Sequence, residues 1–133
     1  MMDLYKIFCR IISEVFSNGA LLTALFSMLC AQIIKVVYYL VPERKINWYH
    51  FFEAGGMPSS HSALVCSLTM IVGLINGFNS VLFAAIAIFS AIVMYDAIQV
   101  RAEEVGHTLV EVGVGGILGI AISILSYLFI IRG

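Results

Sequence analysis

Gly55-Gly56-Met57-Pro58-Ser59-Ser60-His61-Ser62-Ala63 closes a polar loop and leads into the longest uncharged run of the chain, Ser62 to Tyr95. That run has 34 residues. A membrane-spanning helix needs about 20 apolar residues to cross about 30 Å of hydrocarbon, so the run is too long for one span and about enough for two. Asn76-Gly77-Phe78-Asn79-Ser80 supplies the turn between them, with Ser80 as a helix cap. A Pro-Ser-Ser-His start to the first of these helices leaves backbone N–H groups without helical partners beside an imidazole. Those donors and the positive end of the helix dipole favour an anion. Taken alone, the same residues also describe an ordinary capped helix start, because proline and serine are common there.

Composition agrees with a membrane solvent. Of 133 residues, 62% are hydrophobic and 11% charged, against roughly a quarter charged in soluble domains, and the mean hydropathy is +1.05. The chain has the length of one small helical domain. A net charge of −1 gives no support to a nucleic-acid partner. Cys9, Cys30 and Cys66 form no C-x-x-C pair and suggest no disulfide framework. Lys6 and Arg10 interrupt the N-terminal apolar residues and no A-x-A-like site follows, so the N-terminus does not read as a cleavable signal peptide.

Working outward, the charges divide the chain. Over residues 3–17, Leu4, Ile7, Phe8, Ile11, Ile12, Val15 and Phe16 share one helical face, opposite Asp3, Lys6, Arg10, Ser13 and Glu14. This is the pattern of a helix lying in the membrane interface. A first span is expected from about Ala20 to Val41, ending at Pro42, and a second from about Ser59 to Phe78. A third is expected from about Val81 to Gln99, and a fourth from about Thr108 to Ile131. The fold class is therefore an all-α integral membrane helical bundle of four transmembrane helices preceded by an amphipathic interfacial helix. Residues 1–17 form that helix and 18–133 the four-span domain.

Four spans place loops 43–57 and 101–107 on the same side of the membrane. The unusual polar residues gather on that side. Lys35 lies seven residues before Pro42, about 10 Å of helix below the loop; a lysine so placed either snorkels to the surface or serves a function. Asp96, in Met94-Tyr95-Asp96-Ala97, reads as similarly submerged and in need of a cation, either as a structural ion pair or as a supporting group. His107 and Glu111 are four apart and share a helical face. A carboxylate behind an imidazole fixes its tautomer and stabilises positive charge on it, as a nucleophilic histidine requires; a dipole-favoured glutamate beside an incidental histidine has the same spacing. Lys35 and Arg101 would spread the charge of phosphate oxygens. They suit an anion better than a cation, so His61, His107 and Glu111 are not expected to hold a metal.

Lys35-x6-Pro42, Pro58-Ser59-Ser60-His61 and Arg101-x5-His107-x3-Glu111 together resemble the three motifs of the type 2 phosphatidic acid phosphatase superfamily, which includes the vanadium-dependent haloperoxidases. The nonapeptide 55–63, Met94-Tyr95-Asp96-Ala97 and Gly106-His107-Thr108 are similar to its divergent, acid phosphatase/haloperoxidase-related branch. The resemblance covers roughly Ala20 to Ile120. It implies that His107 is a nucleophile forming phosphohistidine, Glu111 its orienting partner and His61 the general acid. It also implies a phosphate clamp of Lys35 and Arg101 with backbone N–H groups near Ser59 and Ser60. The chain departs from the motifs at Val41, where the family has arginine, at Ser60 for glycine, at Val100 for serine and at Glu111 for aspartate. Arg44, two residues after Pro42, is the candidate substitute for the missing arginine.

The expected function is metal-independent and cofactor-free hydrolysis of a lipid phosphate monoester or diphosphate in a bacterial cytoplasmic (inner) membrane. A non-enzymatic anion-binding or transport subunit on the same scaffold is the alternative. Partners are the lipid phosphate and membrane lipids. Gly113, Gly115, Gly116 and Gly119 form a small-residue strip that either packs within the chain or serves a homodimer.

Overall fold

The computed structural model describes residues 2–52, 55–99 and 107–131. Among these the chain is all-helical: α1 (Met2–Phe16), α2 (Gly19–Glu43), α3 (Tyr49–Phe52), α4 (Ser60–Asn76), α5 (Val81–Gln99) and α6 (Leu109–Ser126), the last continued by a π-helical turn over Tyr127–Ile131. Three segments are long and apolar enough to cross a membrane: Gly19–Glu43, Val81–Gln99 and Leu109–Ile131. The fourth expected span is shorter. At 17 residues, α4 rises roughly 26 Å, less than the hydrocarbon thickness.

This short helix is the centre of the bundle. It packs against α6, α2 and α5, whereas α5 packs mainly on α4. The reason lies in a four-residue spacing of small side chains, which is the spacing of one helix ridge. On α2 the buried row is Thr23, Ser27, Ala31 and Lys35; Ala63, Ser67 and Ile71 continue the row from the Ser59 cap of α4; α6 presents Gly115, Gly119 and Ser123. A methyl group built on Gly115 would overlap the Ser59 carbonyl, and one on Gly119 the Ala63 carbonyl. Glycine there lets two backbones touch, and Gly115, Gly116 and Gly119 are covered by α4 of the same chain, whereas Gly113 is exposed.

Hydroxyls close the junction. Ser67 Oγ lies 2.8 Å from Ser27 Oγ and 2.7 Å from Ser123 Oγ, and Ser123 also donates to the Ser67 carbonyl at 2.8 Å. Thr23 meets Ser126 at 2.8 Å, and Thr69 meets Ser90 at 2.7 Å. These pairs give the directions of the helices. Residue numbers rise together in α4 and α6 (59 with 115, 63 with 119, 67 with 123) and run oppositely in α2 and α5, so α4 and α6 are parallel and antiparallel to α2 and α5.

Local signals set the boundaries. Asn18 caps α2, accepting from the Leu21 N–H at 3.0 Å, and Ser80 caps α5, accepting from Phe83 at 3.1 Å. Pro42 does not end α2 as expected. A proline removes one N–H bond but sits within the last turn, and the helix stops at Arg44 instead. The Arg44 N–H still bonds the Leu40 carbonyl at 2.9 Å, and a left-handed backbone at Arg44 (φ 53°) then turns the chain out of the helix. The apolar residues of α1 are exposed and Arg10 pairs with Glu14 at 2.7 Å on its polar face.

Candidate functional site

The antiparallel arrangement brings the C-terminal end of α2 and the N-terminal ends of α4 and α6 to one end of the bundle. Thr108 caps α6: its hydroxyl accepts from the Glu111 N–H at 3.1 Å, and Glu111 Oε2 accepts from the Thr108 N–H at 2.8 Å. This reciprocal box fixes the carboxylate. The same Oε2 lies 3.3 Å from Nδ1 of His107, whose own N–H is anchored on the Ala97 carbonyl at 2.9 Å. His107 is 3% exposed. With Nδ1 donating to a carboxylate, the lone pair resides on Nε2. That atom is buried and has no hydrogen-bond partner among the described residues.

Burial holds the His107 imidazole below its usual range. The Glu111 carboxylate opposes this, and the nearby positive charges of Lys35 and His61 reinforce it. The His61 ring is exposed, with its centroid 6.3 Å from that of His107.

The cap of α4 spends two of its donors. Ser59 Oγ accepts from the Ser62 N–H at 3.3 Å and from the Ser62 hydroxyl at 3.1 Å, while the Ser59 N–H donates to the Glu111 carbonyl at 3.0 Å. This last bond ties the two helix starts together. The N–H groups of Ser60 and His61 make no hydrogen bond among the described residues and remain the donors of this turn. Lys35 is fully buried, and its Cδ lies 3.3 Å from where a Cβ on Gly56 would stand. Gly56 has φ +93°, a backbone that favours glycine, and its open face admits both Lys35 and the Tyr39 hydroxyl.

The structure thus gathers Lys35, Ser59, Ser60, His61, His107 and Glu111. Other expected residues stand apart. Asp96 is exposed and its side chain makes no hydrogen bond among the described residues, contrary to its expected burial: α5 meets α4 through Ser90 and Met94, and Asp96 lies off that face. Arg44 has an exposed side chain. Arg101 lies outside the described residues. An apolar groove of about 750 Å³ opens at the opposite end, between Asn18, Leu68, Asn76 and Ile131, remote from this chemistry.

One cluster escaped the sequence reading. His50 is buried, its Nε2 2.6 Å from Glu43 Oε1, and Asn47 donates to the other Glu43 oxygen at 3.2 Å. The His50 ring stacks on Tyr39 with centroids 4.1 Å apart. Glu43 and His50 are seven apart across a helix end, a spacing with no motif, though the Tyr39–Lys35 separation of four was visible.

Residues 16–105 match the model of a family described as the divergent PAP2 family. The chain belongs to that family. The match stops before His107 and Glu111, so this pair rests on geometry and resemblance. The uncharacterized membrane protein YuiD of Bacillus subtilis (strain 168) is 46% identical over 88 residues, covering 66% of this chain and 56% of that protein. The chain thus spans little more than half of this relative. No solved structure matches it. With a membrane protein as a relative and three helices of spanning length, this divergent PAP2 family member is an integral membrane protein.

Proposed function

We propose that this protein is a lipid phosphatase working through a phosphohistidine. The observation that carries the reading is the buried His107 ring, backed by Glu111 at Nδ1 and with no hydrogen-bond partner at Nε2 among the described residues, beside Lys35 and a helix start with spare N–H groups.

In the first step the Nε2 lone pair attacks phosphorus and the bond from phosphorus to the leaving oxygen breaks. That oxygen takes a proton from His61, while the Nδ1 proton stays against Glu111. In the second step water attacks the phosphohistidine, giving its proton to His61, and the P–N bond breaks to release phosphate. Lys35, Arg101 and the Ser60 and His61 N–H groups hold the phosphate oxygens. The phosphate sits below the loop, where a lipid-borne monoester or diphosphate reaches it and a soluble one is at a disadvantage. Neither step calls on a metal or cofactor.

The seating of α4 among three longer helices, antiparallel to α2 and α5 and parallel to α6, supports its crossing as the fourth span, shielded from lipid by its neighbours. The exposed apolar face of α1 suits a helix lying on the opposite surface of a bacterial cytoplasmic membrane. A non-enzymatic anion-binding subunit is the second reading, favoured by the exposed ring of His61, which makes no hydrogen bond among the described residues of the kind that usually holds a general acid.

The two part in one assay: phosphate release by the purified protein from phosphatidic acid, phosphatidylglycerophosphate or a polyprenyl diphosphate, with and without chelator. Release that survives the chelator and is inhibited by vanadate is expected. Vanadate binding without release from any lipid would favour the second reading.

A further inference from the structure

Between α2 and α3 the loop Arg44-Lys45-Ile46-Asn47-Trp48 is built in a way that the proposed chemistry does not use. Arg44 and Lys45 are exposed, Ile46 is 59% exposed and Trp48 66%, and Val41 just before them is 78% exposed. Two cations and three large apolar side chains therefore share one short rim. The acid within this rim is already engaged. Glu43 accepts from His50 and Asn47, with the charge of Lys45 also acting on it.

The rim is also fixed in place. Glu43 holds His50, His50 stacks on Tyr39, and Tyr39 braces Gly56 beside Lys35. It follows directly on a helix long enough to span the membrane, so it emerges at a membrane interface, the depth where tryptophan prefers to sit.

We propose that this rim docks onto anionic lipid headgroups of the leaflet in which the site opens, gathering negatively charged lipids beside Lys35. Its apolar side chains enter the headgroup boundary while Arg44 and Lys45 meet the headgroup phosphates. Arg44, expected to help clamp the reacting phosphate, acts on this account one step earlier, on the lipid around it. The inference rests on the membrane placement and stands or falls separately from the phosphatase reading.

Trp48 is the single tryptophan of the chain and reports on the rim directly. The intact protein is placed in vesicles of phosphatidylcholine with a fixed minority of phosphatidylglycerol, with bromine on the chains of one lipid or of the other. Emission quenching per brominated molecule then reads the lipid around Trp48, with no turnover needed. Brominated phosphatidylglycerol is expected to quench several-fold more effectively, up to about thirty-fold if both basic residues act fully. The preference should vanish in the Arg44→Gln/Lys45→Gln double variant and persist in Arg44→Lys/Lys45→Arg. If the double variant does not fold, salt titration of the native protein replaces it, since screening should erase the preference. Equal quenching by the two lipids, no quenching by either, or a preference untouched by both the variant and salt would overturn the inference.

Discussion

Adding one methyl group to α6 separates a packing glycine from a spare one. At Gly115 and Gly119 the new Cβ would overlap backbone carbonyls of Ser59 and Ala63, which have no rotamer to escape into. Helices α4 and α6 would have to part, stretching the Ser59–Glu111 bond at 3.0 Å and the Ser67–Ser123 contacts at 2.7 and 2.8 Å. Overpacking of this kind costs about 1–3 kcal/mol, and each weakened interhelical bond adds roughly 0.6 kcal/mol. The better helix propensity of alanine returns at most about 1 kcal/mol. Gly115→Ala and Gly119→Ala should each destabilise the protein by about 2 kcal/mol, a shift of roughly thirty-fold in the unfolding equilibrium.

Gly113 is the control, because a Cβ there meets nothing within 4 Å. Gly113→Ala should be neutral or slightly stabilising. Reversible unfolding in mixed detergent micelles measures all three. If Gly115→Ala and Gly119→Ala unfold together with Gly113→Ala, the contact between α4 and α6 described above is wrong. The site built on it would fail too, since the same contact joins the starts of both helices.

Three further outcomes follow from the site and the topology. Because the His107 imidazole is held below its usual value of about 6.5, it stays neutral and nucleophilic into mildly acid solution; the acid limb of phosphate release should fall below that pH, and Glu111→Gln should push it lower still while reducing turnover. The same shift means that the unfolded chain binds the proton more readily, so stability should decline as pH falls below about 6.5, and a limb above that value would contradict the assigned burial. If α4 crosses the membrane, cysteines placed at Ser60 and Asn79 in a background lacking Cys9, Cys30 and Cys66 should react with an impermeant thiol reagent from opposite sides only; labelling of both from one side would refute the crossing.

Much of the fold was legible because lipid imposes a simple pattern of apolar lengths and polar breaks. The third span was expected and observed at Val81–Gln99. Lys35 stood out because a cation two turns inside an apolar run is rare. The centre of the bundle was harder to read. Ser27, Ser67 and Ser123 meet across 40 and 56 residues, and only their shared four-residue spacing with Ala31, Ala63 and Gly119 hinted at a common seam. Asp96 shows the limit of reasoning from depth alone: burial depends on which face of α5 meets α4. The Ser59 N–H, expected near the phosphate, is held by a carbonyl 52 positions further along the chain, which no local cap rule anticipates. Tyr39, Glu43 and His50 were hidden because their contacts join a helix end to the loop beyond it.

The central claim is that Nε2 of His107 attacks phosphorus, and trapping the intermediate tests it most directly. Purified protein is mixed with a phosphorus-labelled lipid phosphate that it turns over, quenched in alkali within one turnover, digested and analysed by mass spectrometry. A base-stable, acid-labile phosphoryl group on His107, absent from His107→Ala, which also releases no phosphate, is the expected result. Phosphate release that continues undiminished in His107→Ala, with no adduct on the native protein, would contradict the account.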